Sequence, residues 1–377
     1  MRVLMTELSD YRGPTQLGSH AFAREFAAAG ADVMWLGTPI YPHTFLRARD
    51  SFTERRCQVW REGGRRGDDG ITEYYPFTLL PVVDRPFFRT RFAARNTLRA
   101  TLPRIETVLR ERGFATPDVA WFSMSRYANP ASALVTPRAS ACRLSDDWAH
   151  FRNVPVSLQA LHDEVVDAAD AVFVTSRRHL AKLHARRPDA VYLPNGVSEI
   201  FFNETAPEPE VIARYPHPRV VFVGQLDEWV DFDCIATVGE KNPAASVLVV
   251  GPGEAARRAY PANVHFLGGH PYAGLPALLR HCDVGIVPFV PNELTHAVSP
   301  LKLYEYFAAG LAVVATRLDE IEASESPAVL CDSHDEFARA VTTLSQRSAE
   351  GRRERVAFAR QHTWRQRFGV VRARLGF

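Results

Sequence analysis

The sequence predicts an α/β protein built as two doubly wound domains, each around a parallel sheet. Three observations carry this reading. Short apolar runs rich in Val, Leu and Phe alternate with longer stretches of helical period, the pattern of repeated β–α–β units. The length, 377 residues, exceeds one ordinary core and suits two domains of common size. A proline-rich polar stretch over 203–218, NETAPEPEVIARYPHP, interrupts the alternation near the middle and reads as a linker. The expected boundaries are a first domain over 1–198, a second over 199–355, and a helix over 356–377 that returns to the first.

The first β–α–β unit is the clearest. Arg2 to Thr6 reads as a buried strand and Asp10 to Gly13 as a turn-rich loop. Phe22, Phe26 and Ala29 then recur at helical spacing up to Gly30, a good helix stop, and Ala31–Leu36 is the second strand. Further strands are expected at Ile71–Phe77, Val119–Ser123, Ala141–Leu144, Ala171–Thr175 and Val191–Leu193, with helices over 86–112, 155–168 and 176–186. The polar, Gly- and Arg-rich stretch 50–70 reads as a mobile hairpin or loop. The second series has strands at Arg219–Val223, Ser246–Gly251, Val264–Leu267, Val284–Val287 and Ala312–Ala315, and an Arg-rich helical segment over 334–376. Two such domains place a central cleft where the carboxyl ends of their sheets face each other.

Hydrophobic residues make up 46% and charged residues 23%, the composition of a soluble globular protein. A net charge of +2 argues against nucleic acid or another polyanion as partner. Cys57, Cys142, Cys234, Cys282 and Cys331 are odd in number and form no CxxC pair. They suit reduced structural thiols in the cytoplasm better than a disulfide framework or a zinc site. Glu7 and Asp10 break the first apolar run too early for a secretory signal, and no stretch approaches the ~18 apolar residues that span a bilayer. The expectation is a cytoplasmic protein whose membrane contact, where present, is peripheral on the inner face.

Chemistry concentrates in Ser299–Thr316, SPLKLYEYFAAGLAVVAT. Ser299 and Pro300 suit a helix start, so Leu301 and Lys302 fall in the first turn. A helix start offers free N–H groups and partial positive charge to a phosphate, and Lys302 adds a formal charge. Glu305, three residues on, shares that face and can accept hydrogen bonds from ribose hydroxyls. Gly310 ends the helix before a buried strand. Alone, the segment also fits an ordinary amphipathic helix with a Lys–Glu surface pair.

The segment resembles the donor-binding helix of GT-B glycosyltransferases, whose motif has the form PxKxxEYxAxGxPVVAT. Pro194–Val197 (PNGV), followed by Phe201 and Phe202, resembles the domain crossover of those enzymes. His265–Phe289 resembles the stretch that carries their base-binding loop. The resemblance is strong over the second half, looser over the first, and closest to the glucuronosyltransferase of xanthan assembly and to teichuronic-acid-type transferases. It implies a GT-B fold of two Rossmann-like domains, a nucleotide-diphosphate sugar donor, most simply a UDP-sugar, and a glycan, lipid-linked or small-molecule acceptor. Lys302 and the helix start would hold the diphosphate and Glu305 the ribose. The loops at Gly224 and Gln225, at Gly268, Gly269 and His270, and at Phe289 would enclose base and sugar.

Two departures weaken kinship with the retaining family-4 enzymes. Ala297 stands where they have an acidic residue, and Gly224 is followed by Gln225, Leu226 and Asp227 rather than Arg and Lys. Arg143–Trp148, RLSDDW, supplies the other half of the chemistry. A carboxylate directly after a strand lies at the sheet's carboxyl edge, where catalytic groups of this architecture belong, although Asp146 and Asp147 equally suit a helix cap. The segment resembles the RxSD of the xanthan-type enzyme. That implies Asp146 as the base of an inverting displacement, with Asp147 on the acceptor side. A retaining transferase is the alternative, as are a nucleotide-sugar epimerase or phosphorylase and a binding protein on a catalytically dead scaffold.

The loop Asp10–His20 is a further acceptor-side candidate through Gly13 and His20, although turn residues opening a helix explain both equally well. It lacks the spacing of a P-loop or a dinucleotide fingerprint. Arg85–Arg112 interleaves eight arginines with Phe87, Phe88, Phe92, Leu98, Leu102 and Leu109. Such a stretch suits either an anionic membrane surface or a helix with a solvated Arg face. Asp231-Phe232-Asp233 has DxD spacing but falls where a helix is expected, so neither a metal nor another cofactor is anticipated.

Overall fold

A computed structural model describes residues 1–13, 15–47, 51–83, 85–123, 125–145, 156–255, 258–346 and 351–377. The chain divides into two units, 1–194 with 368–377, and 195–367. In the first, β1 (Arg2–Thr6), β2 (Asp32–Leu36), β3 (Arg65–Arg66) and β4 (Ile71–Tyr74) precede the ribbon β5 (Phe77–Thr78) and β6 (Thr101–Leu102). The sheet resumes with β7 (Val119–Ser123), β8 (Ala139–Leu144), β9 (Ala171–Val174) and β10 (Val191–Tyr192). Its order is β10-β9-β8-β7-β1-β2-β4-β3, parallel except for the β3–β4 hairpin. Val3, Leu4 and Met5 are wholly buried, as expected of a central strand covered on both faces.

The second unit holds β11 (Arg219–Val223), β12 (Ser246–Val250), β13 (Val264–Gly268), β14 (Val284–Val287), β15 (Ala312–Thr316) and β16 (Val329–Cys331). Their order, β13-β12-β11-β14-β15-β16, is the 3-2-1-4-5-6 winding of a Rossmann sheet, and every pair is parallel. In both units the order reverses beside the first strand. The topological switch points are therefore the crevices above β1/β7 and above β11/β14.

Several sequence expectations change. The helix expected over 86–112 is three pieces: Arg91–Asn96, the ribbon strand β6, and Ile105–Glu111. Pro103 cannot continue a helix, and the Thr101 hydroxyl accepts the Ile105 N–H at 2.9 Å and restarts one. In the stretch read as a hairpin or loop, 65–74 forms a hairpin as expected, whereas Ser51–Arg61 is helical. Buried Cys57 and Val59 hold that helix, and Arg55 pairs with the fully buried Glu73 at 2.5 Å, so packing overrides a polar composition. The proline-rich stretch read as a linker is part of the second unit, whose core takes Ile212 and Tyr215. The segment 334–376 is helical as expected, and its described residues form three helices, His334–Gln346, Arg352–Arg360 and Trp364–Leu375. All five cysteines are buried free thiols.

Candidate functional site

In the second unit the helix Leu301–Ala309 is seated by Tyr306. Its hydroxyl accepts the Val223 N–H at the end of β11 at 2.8 Å, and its ring lies so close to β14 that a Cβ on Gly285 would fall 2.4 Å from it. Gly310, left-handed at φ 85, stops the helix as expected. This anchoring delivers the first turn to the β11/β14 switch point. There the Lys302 Nζ lies 4.0 Å from the Phe222 ring centroid and 4.6 Å from that of Phe289, with Phe222 on β11 and Phe289 just beyond β14. Desolvation among these rings pulls the Lys302 pKa down to about 7, against the opposing pull of Glu305. Glu305, one turn along, is 7% exposed. Burial raises its pKa to about 7, opposed by a hydrogen bond from the Tyr272 hydroxyl and by Lys302.

Pro300 occupies the N-cap, and no side chain caps the helix. Ser299 therefore does not open it in the way the sequence suggests. Its hydroxyl instead accepts the Asn195 N–H at 3.3 Å, and its carbonyl accepts the Asn195 side-chain N–H at 2.6 Å. The asparagine of PNGV thus props the approach to the helix and leaves the amides of Leu301 and Lys302 without a side-chain cap.

Three glycines end three adjacent strands beside this turn. Gly224 donates its N–H to Val250 at 2.9 Å and Gly251 donates to Gly268 at 2.8 Å. Gly224 lies at φ 153, and a Cβ there would meet the Lys302 Nζ at 2.6 Å. Gly251 lies at φ 157 against the Gly224 backbone. Gln225 is exposed and its amide donates to Asp227 at 3.3 Å. Gly268 and Gly269 are exposed, and the His270 ring is folded over Gly274. Lys302, Gly224 and Phe289 are therefore brought together, with Glu305 one turn behind. Gly268, Gly269 and His270 line the neighbouring strand end.

Sequence reasoning missed Phe222, Tyr272 and Gly251. An aromatic in a strand reads only as core. Tyr272 carried no signal apart from its place in the stretch resembling a base-binding loop.

Asp146 and Asp147 lie outside the described residues; the preceding strand β8 ends at Leu144 as expected. Of the other first-unit candidates, Gly13 closes a turn by donating to the Asp10 carbonyl at 2.9 Å. His20 is wholly buried. Its Nδ1 accepts the Leu17 N–H at 3.0 Å and its Nε2 lies 3.2 Å from the Asp10 carbonyl, while burial lowers its pKa to about 4. Both ring nitrogens are engaged in shaping the loop, as suits a residue that opens the helix.

The β1/β7 switch point holds a group that the sequence did not single out. Glu7, directly after β1 and 3% exposed, accepts the Ser123 hydroxyl at 2.6 Å, and Ser123 lies 3.1 Å from Ser19. Burial raises its pKa to about 7 despite these hydroxyls and the charge of Arg143. Asp231 caps the helix Phe232–Lys241 through the Cys234 N–H at 2.8 Å, and Asp233 pairs with Arg258, as expected of a helix start with a solvated face.

Comparison with known proteins bears out the family resemblance. Residues 217–347 match the family described as Glycosyl transferases group 1. A putative teichuronic acid biosynthesis glycosyltransferase, TuaH of Bacillus subtilis (strain 168), is 30% identical over 156 residues, a match spanning 39% of this chain and 39% of that relative. Among solved structures, Anabaena HepE in complex with UDP-glucose superposes with a TM-score of 0.68 at 15% identity, covering 100% of this chain and 99% of that one. Sucrose-phosphate synthase of Thermosynechococcus elongatus gives 0.66 at 14% identity, covering 99% of each chain. The chain has the GT-B fold, two Rossmann-like units in one polypeptide.

Proposed function

We propose that this GT-B chain is a glycosyltransferase that moves a sugar from a UDP-sugar to a hydroxyl of a glycan, lipid-linked or small-molecule acceptor, with inversion. The observation that carries the reading is the placement of Lys302 on an uncapped helix start at the β11/β14 switch point, where doubly wound sheets bind their ligands. The match of 217–347 to glycosyl transferases group 1 and a structural neighbour bound to UDP-glucose support it.

In this reading Lys302 and the first-turn amides hold the diphosphate and Glu305 the ribose. The strand-end glycines admit the donor close to the backbone, and Gln225, His270 and Phe289 frame base and sugar. Asp146 takes the proton of the acceptor hydroxyl as its oxygen bonds to the anomeric carbon. The bond from that carbon to the diphosphate oxygen breaks, and UDP departs with its charge held by Lys302 rather than by a metal ion. Asp146→Asn tests the base. Turnover is expected to fall by about 10²- to 10⁴-fold with UDP affinity unchanged by calorimetry; retained turnover removes Asp146 from the reaction. The anomeric configuration of the product, read by NMR, decides between inversion and retention.

We also read 85–104 as a face that meets an anionic membrane. Phe87 and Phe92 are 55% and 64% exposed with ring centroids 6.4 Å apart, and Arg85, Arg89, Arg91, Arg95 and Arg99 on the same stretch are exposed. Apolar rings beside guanidinium groups suit the boundary between acyl chains and acidic headgroups.

A further inference from the structure

The helix that presents Lys302 is finished by a later segment of the chain. Two arginines of the helix Arg352–Arg360 close its last carbonyls. Arg352 Nη2 donates to the Ala309 carbonyl at 2.9 Å, and Arg355 donates to that of Gly310 through Nε at 3.1 Å and Nη2 at 3.0 Å. Arg355 is 7% exposed. A Cβ on Gly310 would fall 2.5 Å from the Arg352 guanidinium carbon, so this glycine admits a cation as well as turning the chain. Phe358, on the same helix as the arginines, sets its ring 5.4 Å from that of Phe307 and 6.3 Å from that of Tyr304, so the two helices pack against each other.

The two ends of the donor helix thus differ in kind. Its start has no side-chain cap, whereas its end carries two guanidinium groups on its final carbonyls. Unpaired carbonyls give a helix end partial negative charge, which offsets the positive start. Cations bonded to them cancel that offset. The start, about 14 Å away along a helix of nine residues, keeps an excess of positive potential. At that range, with Arg355 buried, one unit charge still shifts the binding of an anion severalfold. The fixed fork of Arg355, with two N–H groups on one oxygen, also keeps the helix from sliding along its own axis.

We propose that Arg352 and Arg355 are positioning residues that tune the donor site for a diphosphate from the opposite end of its helix. They act through the helix, without touching the ligand. This rests on the donor reading above, in which the first turn meets the diphosphate.

The test compares UDP, inorganic diphosphate and uridine, which lacks phosphate, by calorimetry and ligand-observed NMR. Arg352→Met and Arg355→Met are each expected to weaken UDP and diphosphate by about three- to tenfold and to leave uridine unchanged. Arg355→Lys keeps the charge and is expected to recover most of the loss. Arg353→Met removes an exposed charge from the same helix and is expected to bind all three ligands like wild type. Melting temperatures separate folding from binding, because a purely structural clamp would lower them and move no ligand preference. If Arg355→Met fails to fold, Arg352→Met, at a half-buried position, decides alone. Three results each overturn the inference while the donor reading stands. UDP and uridine weaken by the same factor, both Met variants bind UDP as wild type does, or Arg353→Met costs as much as the other two. If wild type takes up neither UDP nor diphosphate, the donor reading fails and the inference with it.

Discussion

Lys302 shows how much one side chain concedes for its position. Its ammonium lies near two phenyl rings with its pKa drawn down to about 7 by desolvation, while Glu305 is raised to about 7 by the same burial. The signs follow from linkage. The Glu305 contribution to stability is present below the ordinary carboxylate range and is lost as pH rises through about 7. The Lys302 contribution is present above the ordinary lysine pKa and is lost as pH falls through about 7. The ligand-free pair is thus least favourable near neutrality. Lys302→Met is expected to raise the melting temperature of the free protein by a few degrees, most at or below pH 7 and fading toward pH 10. The same change is expected to weaken UDP binding by about 30-fold or more. A variant that neither melts later nor binds less would refute this account. Because a diphosphate favours the ammonium, UDP binding above pH 7 is expected to take up protons. Calorimetry in buffers of different ionisation enthalpy would then give different apparent heats. Lys302 and Glu305 were legible in the sequence because polar residues at helical spacing among apolar ones stand out. Phe222 and Tyr272 were not, since an aromatic gives no sign of whether it fills a core or meets a cation or carboxylate.

At the scale of elements, the donor helix and the strand-end glycines act as one assembly. A Cβ on Gly251 would fall 1.7 Å from the Gly224 carbonyl oxygen, backbone that cannot step aside, at a φ of 157 that side chains rarely adopt. Gly251→Ala is expected to destabilise the second unit by about 3 kcal/mol or more and to lower its urea midpoint. Gly224→Ala, at a φ of 153 that is strained in the same way, would also press on the Lys302 Nζ, so it is expected to lower both UDP affinity and the urea midpoint. A Gly251→Ala protein with wild-type stability would show that the two strand ends are not locked together. Most strands were read within a residue or two because fully buried parallel strands are continuous apolar runs. The helix Ser51–Arg61 and the ribbon β5–β6 escaped because their order comes from partners distant in sequence: Glu73 for Arg55, and residues 77–78 for 101–102.

For the molecule as a whole, two Rossmann-like sheets were legible from length and alternation, while the surface was not. Expected helical spacing would bury the phenylalanines of 85–112 beneath a solvated Arg face, yet Phe87 and Phe92 lie outside. Replacing both by Ser is expected to reduce flotation with vesicles containing phosphatidylglycerol severalfold and to leave UDP affinity unchanged. Flotation equal to wild type would remove the membrane face. The first unit is also completed from far along the chain. Phe368 and Phe377 set their rings 4.9 and 5.9 Å from that of Phe26, which is wholly buried on the helix Gly18–Ala28. During synthesis, residues 1–194 leave the ribosome with Trp121 against this ring but with its Phe368 and Phe377 contacts unmade until the entire second unit has followed. Maturation of the first half therefore waits on translation of the second, and a nascent chain stalled between them presents a sticky aromatic spot for chaperones to shield.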